Sequence, residues 1–339
     1  PTAVVGASMY YKEKHRPNLP TTDVTSYRLS QKTCVITGAT SGIGLATAKK
    51  LAEEGICKLI VVGSRDLSRG AAAAKQITER STKRMAMIDD DDDDDKMNND
   101  TNAVVVEVLP LDLSDRDSVR QFVEEVSSRH DCVVDILISC AAEIRNEPSL
   151  NSSGIDTMFA TNHLGLQQLL VGMMPSLAKD ARVVIVSSRL ESKGKIDPCV
   201  VEESEGQQLR QGGSSWKDPM KHYADTKLAN QLLVTELSRH WQKAESSITI
   251  VSVSPGMVHT KLWRYFPTWY QLATYPIRAL ALRDPEDAAK GVVFAAAANE
   301  VESGSFLADG KTIEPSKMGQ DMALAQDLFK VCQKLLKVG

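Results

Sequence analysis

Short runs rich in valine and isoleucine recur along the chain at residues 33–37, 58–62, 104–109, 134–138, 182–187 and 249–253. They are mostly apolar at successive positions, so the strands they predict are buried on both faces, as parallel strands covered by helices are. Between them, at 43–54, 67–80, 115–129, 154–177 and 220–242, lie amphipathic stretches that predict helices. Such alternation predicts an α/β protein built on a doubly wound parallel sheet. The pattern gives one domain over residues 32–318, preceded by a polar arm at 1–31 and followed by a helix at 319–339.

Two polar insertions interrupt the pattern, at 81–102 and 190–219. The first carries seven consecutive aspartates, Asp89 to Asp95. Such a run repels itself and cannot be desolvated together, so it reads as a solvated loop. The spacing and glycine of a calcium-binding loop are absent. The run also sets the net charge of −4, since the rest of the chain sums to about +3. No basic stripe marks a nucleic-acid partner. Six cysteines are scattered without a CxxC pair and only six histidines are present, which argues against a zinc site or a disulfide framework. Reduced, buried thiols in a reducing intracellular compartment are expected. No run of 18 apolar residues exists to span a membrane. The chain opens on Pro1. If a segment precedes it, membrane-associated or organellar placement is open.

Candidate chemistry begins after the first strand. Thr37-Gly38-Ala39-Thr40-Ser41-Gly42-Ile43-Gly44 leaves that strand and opens a helix. Gly38 permits a sharp turn, Gly42 close approach to a pyrophosphate, and Gly44 close packing of helix on sheet. The helix N-terminus adds free N–H groups for phosphate. This is the dinucleotide-binding arrangement of a Rossmann-type fold. The second strand ends in Ser64-Arg65-Asp66. Arg65 supplies a cation and Ser64 a donor suited to a 2′-phosphate, so NADP(H) is the expected cofactor. Asp66 is the competing reading, as an acid for a ribose hydroxyl.

Tyr223 and Lys227 are four apart within a predicted helix and so share a face. A phenol of pKa about 10 is a poor acid–base at neutral pH, and an adjacent ammonium is expected to lower it. Ser187 and Ser188 end an apolar strand, Asn162 sits inside a helix, and Pro255-Gly256 follows the last strand candidate. With these motifs and Leu111-Asp112-Leu113, in this order over residues 32 to about 315, the chain resembles the short-chain dehydrogenase/reductases. That resemblance implies a catalytic tetrad of Asn162, Ser188, Tyr223 and Lys227. Ser188 would position the substrate oxygen, Lys227 would also hold the nicotinamide ribose, and Asn162 would hold a relay water. The cofactor would touch Thr37, Gly38, Ser41, Gly42, Ile43, Gly44, Ser64, Arg65, Asp112, Leu113, Ala141, Tyr223, Lys227, Pro255, Gly256, Val258 and Thr260. Residues 161–165, 222–230 and 255–266 look closest to the retinol dehydrogenase-like branch, which is similar to the protochlorophyllide reductases. One departure stands out: Ser139-Cys140-Ala141-Ala142 replaces the usual Asn-Asn-Ala-Gly, adding a methyl at Ala142 and losing a strand-tying asparagine.

Residues 261–283 hold Trp263, Tyr265, Phe266, Trp269, Tyr270 and Tyr275 in a chain only 5% aromatic. A lid over 257–283 closing on a bulky apolar aldehyde, ketone, retinoid or steroid is the leading reading. Core or oligomer packing is an alternative. So is a membrane-surface contact, because Lys261, Arg264, Arg278 and Arg283 flank the aromatics. Oligomeric state stays open, a homodimer included. The expected function is hydride transfer between NADP(H) and a small hydrophobic carbonyl or alcohol. The alternatives are a non-catalytic NADP(H)-binding sensor or scaffold and a light-dependent pigment reductase.

Overall fold

The computed structural model describes residues 32–89, 103–129, 133–197, 218–258 and 282–337. Its strands are β1 (Lys32–Thr37), β2 (Cys57–Ser64), β3 (Val105–Pro110), β4 (Val134–Ser139), β5 (Leu177–Val186), β6 (Thr249–Ser254), β7 (Phe306–Ala308) and β8 (Lys311–Ile313). They form one sheet in the order β3-β2-β1-β4-β5-β6-β7-β8. All pairings are parallel except β7 with β8, which is antiparallel. The order reverses between β1 and β4, and this switch point opens a crevice at the carboxyl edge of the sheet.

Alternate residues of each strand feed opposite layers. Cys34 and Ile36 join a core with Leu51, Ile77 and Val292, drawn from helices α1 (Gly42–Glu53), α2 (Leu67–Asp89) and α6 (Pro285–Ala297). Val35 and Leu137 join the other core, with Phe122, Leu169 and Leu237 of helices α3 (Arg116–Ser128), α4 (Gly165–Met173) and α5 (Pro219–Lys243). Both sheet faces are therefore covered, as the doubly apolar strands require. Helix α7 (Met322–Lys337) lays Leu324, Leu328 and Leu335 against Leu228 and Leu232 of α5, following the helical period.

Several expectations shift. The insertion placed at 81–102 begins as helix, since α2 runs on to Asp89. Ser81 is buried there and its Oγ accepts a bond from the Val104 N–H. The remainder of the aspartate run lies outside the described residues, as do residues 198–217 of the second insertion. The helix expected at 154–177 is broken into a turn at Thr157–Phe159, a π turn at Ala160–Leu164, α4, and a 3₁₀ turn at Met174–Ser176. β5 starts earlier than expected, at Leu177. Three residues each was too little period to reveal β7 and β8.

Candidate active site

The Gly-rich turn closes onto its neighbours so tightly that side chains are excluded. Gly38 has φ +74, and a Cβ there would lie 2.7 Å from the Ala141 nitrogen. A Cβ on Gly44 would lie 2.4 Å from the Gly38 carbonyl oxygen. Helix α1 has no side-chain cap at Ser41. Its first N–H groups therefore remain for a ligand. Thr37, Gly38, Ser41, Gly42, Ile43 and Gly44 all border a cavity of about 900 Å³ at the switch point. The glycine cradle and the uncapped helix start fit a dinucleotide pyrophosphate.

At one end of the cavity stand Ser64, Arg65, Asp66 and Arg69. Asp66 is engaged through one of its two carboxylate oxygens. Its Oδ1 accepts from the N–H groups of Ser68 and Arg69 and from the Ser68 hydroxyl, capping α2. Those bonds hold its carboxyl below the usual carboxylate range. Ser64, expected to donate to phosphate, donates its hydroxyl to the Asp66 carbonyl at 2.7 Å. The cations remaining are Arg65 and Arg69. Arg69 was missed in the sequence although it lies one helical turn beyond Arg65, and its Nη2 donates to Thr40 Oγ1 at 3.3 Å. Asp112 and Leu113 line the same end, with Asp112 Oδ1 accepting from Ser114.

The ends of β1 and β4 stay tied despite the lost asparagine. The Ala141 N–H donates to Thr37 Oγ1 at 3.3 Å and the Cys140 N–H to the Thr37 carbonyl at 3.2 Å. Ala142 packs with Ile144, Met158, Leu190 and Tyr223 along the wall.

Helix α5 begins at an Asp218 cap followed by Pro219. It carries Tyr223 and Lys227 into the cavity on one face. Tyr223 is 7% exposed and Lys227 2%. Lys227 Nζ sits 5.4 Å from the Tyr223 ring centroid and donates to the Val186 carbonyl at 3.0 Å. Burial pushes the Lys227 ammonium down to about 8 and raises the Tyr223 phenol. The expected lowering of the phenol by its neighbour is thus not found, because burial desolvates the phenol and moves its pKa upward. Ser187 and Ser188 border the cavity beside this pair. Ser188 Oγ accepts from the Leu190 N–H at 3.2 Å.

Asn162, 1% exposed, lies in the π turn and is not among the residues bordering the cavity. Its Oδ1 accepts from the Glu143 N–H at 2.8 Å, and its Nδ2 donates to the Glu143 carbonyl at 2.9 Å and to Thr226 Oγ1 at 3.2 Å. The amide therefore pins the chain after β4 to α5. A second pin stands beside Tyr223. His222 Nε2 and Asp156 Oδ1 are 2.6 Å apart, both residues buried, and Asp156 also accepts from the Phe159 N–H. Neither Glu143 nor this pair was anticipated. A Glu at the end of an apolar strand was the available signal for the first.

Pro255, Gly256, Met257 and Val258 border the far end, with Arg283 and Asp309. Asp309, at φ +55, accepts from Arg283 Nη2 at 2.6 Å and Arg189 Nη2 at 2.7 Å. Thr260 and the aromatic segment over 259–281 lie outside the described residues.

The family model described as short chain dehydrogenase matches residues 32–112 and 95–199. The chain is 30% identical over 319 residues to retinol dehydrogenase 12 of Bos taurus, covering 93% of this chain and 89% of that protein. It is 26% identical over 330 residues to polyprenol dehydrogenase of Danio rerio, covering 95% and 90%. Among solved structures, an uncharacterized protein from Mycobacterium Paratuberculosis aligns with a TM-score of 0.67 at 27% identity, covering 94% of this chain and 96% of that one.

Proposed function

The chain belongs to the short-chain dehydrogenase family, and from that premise we propose that it is an oxidoreductase that reduces bulky apolar carbonyls with NADPH, or oxidises the matching alcohols. The observation that carries the reading is the placement of Tyr223 and Lys227, buried on one face of α5, in the cavity that begins at the Gly-rich turn. A bound nicotinamide dinucleotide supplies or accepts the hydride there. Gly38 and Gly44 let the turn close tightly, so that the uncapped start of α1 can meet its phosphates, and Arg65 and Arg69 favour a 2′-phosphate over a bare ribose hydroxyl. Asp66 engages one carboxylate oxygen in capping α2, which weakens the argument for NAD(H).

Tyr223 presents its phenol to the substrate oxygen. It serves as the general acid when a carbonyl is reduced. Ser188 donates a hydrogen bond to the same oxygen and fixes its position. Lys227, anchored on the Val186 carbonyl, keeps cationic character beside the phenol. Asn162 acts as a clasp holding the chain after β4 against α5. The apolar substrate class is supported by relatives named for retinol and polyprenol.

The test is NADPH consumption against a series of straight-chain and ring-bearing apolar aldehydes. Turnover should rise with apolar bulk and be faster with NADPH than with NADH. A protein that binds NADPH tightly but turns over no aldehyde or ketone would overturn the enzymatic reading in favour of a cofactor-binding one.

A further inference from the structure

Glu143 is a carboxylate almost without solvent contact, 2% exposed, at the border of the cofactor cavity. It follows directly on Ser139-Cys140-Ala141-Ala142, where the chain departs from its family's pattern. Both polar groups of its backbone are held by Asn162, so its side chain springs from a fixed point. The carboxylate meets two guanidinium groups of unequal closeness. Arg145 Nε donates to Oε1 at 2.7 Å, with Nη2 3.5 Å from Oε2. Arg65 Nη1 stands 3.6 Å from Oε2. Thr161 Oγ1 donates to Oε1 at 3.4 Å. Arg145 thus provides the close contact and Arg65 the loose one.

We propose that Glu143 sets how strongly the protein discriminates NADPH from NADH, by competing with the cofactor's 2′-phosphate for Arg65. This rests on the reading that a nicotinamide dinucleotide binds here. One guanidinium serves two anions. While Glu143 holds Arg65, part of the cation's attraction is spent inside the protein. Release of Arg65 is cheap for two reasons. Its side chain is 47% exposed, and an ion pair with an exposed partner is weak. Arg145 stays bonded to Glu143, so the buried carboxylate is never left without a counter-charge. Glu143 is therefore a positioning residue, acting through Arg65, and Arg145 determines how firmly it grips.

The experiment is fluorescence titration of NADPH and NADH into wild type, Glu143→Gln, Arg145→Gln, Arg65→Ala and the Glu143→Gln/Arg65→Ala double variant. Glu143→Gln should tighten NADPH about three- to fivefold, the scale of a partly exposed ion pair, with NADH changed less than twofold. Arg145→Gln, a substitution at a half-buried side chain, should do the reverse by leaving Glu143 to Arg65 alone. In the Arg65→Ala background the Glu143→Gln gain should vanish. Equal shifts for both cofactors, or a gain that survives Arg65→Ala, would overturn the proposal. Should Glu143→Gln fail to fold, an unchanged NADPH affinity in Arg145→Gln would overturn it by itself. If Arg65→Ala weakens NADPH while Glu143→Gln and Arg145→Gln change nothing, the competition is refuted and the cofactor reading stands. Binding of neither cofactor by wild type overturns both.

Discussion

Replacing Lys227 by Met should abolish turnover and yet stabilise the protein at neutral pH. The ammonium is 2% exposed and has one strong acceptor, the Val186 carbonyl at 3.0 Å. Burial carries its pKa from 10.5 to about 8, a cost of about 3 kcal/mol for keeping the charge at pH 7. Met matches the length of the stem without the charge, but it leaves Val186 without that donor, which returns about 1–2 kcal/mol. The net gain should be about 1–2 kcal/mol, read as a higher urea midpoint at unchanged slope. The pH dependence identifies the cause. Below pH 8 the lysine is charged in both the folded and unfolded states, and the burial cost is fully present. Between about 8 and 10.5 the folded protein has released the proton that the unfolded chain still binds, so wild-type stability rises with pH. Above 10.5 both states are neutral and the cost is gone. The advantage of Lys227→Met should therefore be greatest at pH 7, vanish between about pH 9 and 10, and become a deficit of about 1–2 kcal/mol, the lost hydrogen bond, by about pH 10.5. Tyr223, whose pKa burial raises, is common to both proteins, while Cys140, raised by burial and held down by Lys227, should titrate higher still in the variant. A variant less stable than wild type at pH 7, by an amount that does not change with pH, would refute the reasoning. It would show that Lys227 is a stabilising strut and not a strained catalytic group.

Tyr223→Phe should lower kcat about 10²–10⁴-fold while NADPH still binds, since only the proton donor is removed; near-normal turnover would take Tyr223 out of the mechanism. Arg65→Ala and Arg69→Ala should each weaken NADPH by up to about tenfold and leave NADH nearly unchanged in titrations, and equal losses would show that neither reads the 2′-phosphate. Gly44→Ala should abolish binding of both cofactors, because its methyl would stand 2.4 Å from the Gly38 carbonyl oxygen; retained affinity would mean that the turn yields easily. Asp156→Ala should destabilise the fold by about 2–4 kcal/mol in urea, removing a buried partner of His222 and a helix cap together, and a loss under 1 kcal/mol would make the pair dispensable.

The parts legible in the sequence share a property: their signal is local. Doubly apolar strands, a glycine triplet at a strand end and a Tyr-Lys pair at helical spacing each carry their reason within a few neighbouring residues. That is why six of the eight strands, the Gly-rich turn and helix α5 emerged with boundaries close to those observed, β5 apart. What escaped depends on residues distant in the chain. Thr37 takes over a strand tie that asparagine would have made, and this needs β1 and β4 to be neighbours. Asn162 lies in a π turn, and its amide is committed to Glu143, nineteen residues earlier.

The electrostatic expectation for Tyr223 failed for a related reason. Spacing of four brings the ammonium near the phenol but says nothing about water. Both groups proved to be buried, and desolvation drove the two pKa values toward the neutral forms, away from an ion pair. A sequence reading can place two charges one turn apart; whether they help or hinder each other depends on the dielectric that the rest of the fold builds around them. The same distinction separates Asp66 from Glu143. Asp66, at the position where an acid would select a ribose, is turned to the start of α2. Glu143, from the other side of the switch point, is the carboxylate that reaches Arg65. On the proposal made for Glu143, cofactor choice is set in the space between the ends of β2 and β4, and altering the end of β2 alone should move it only in part.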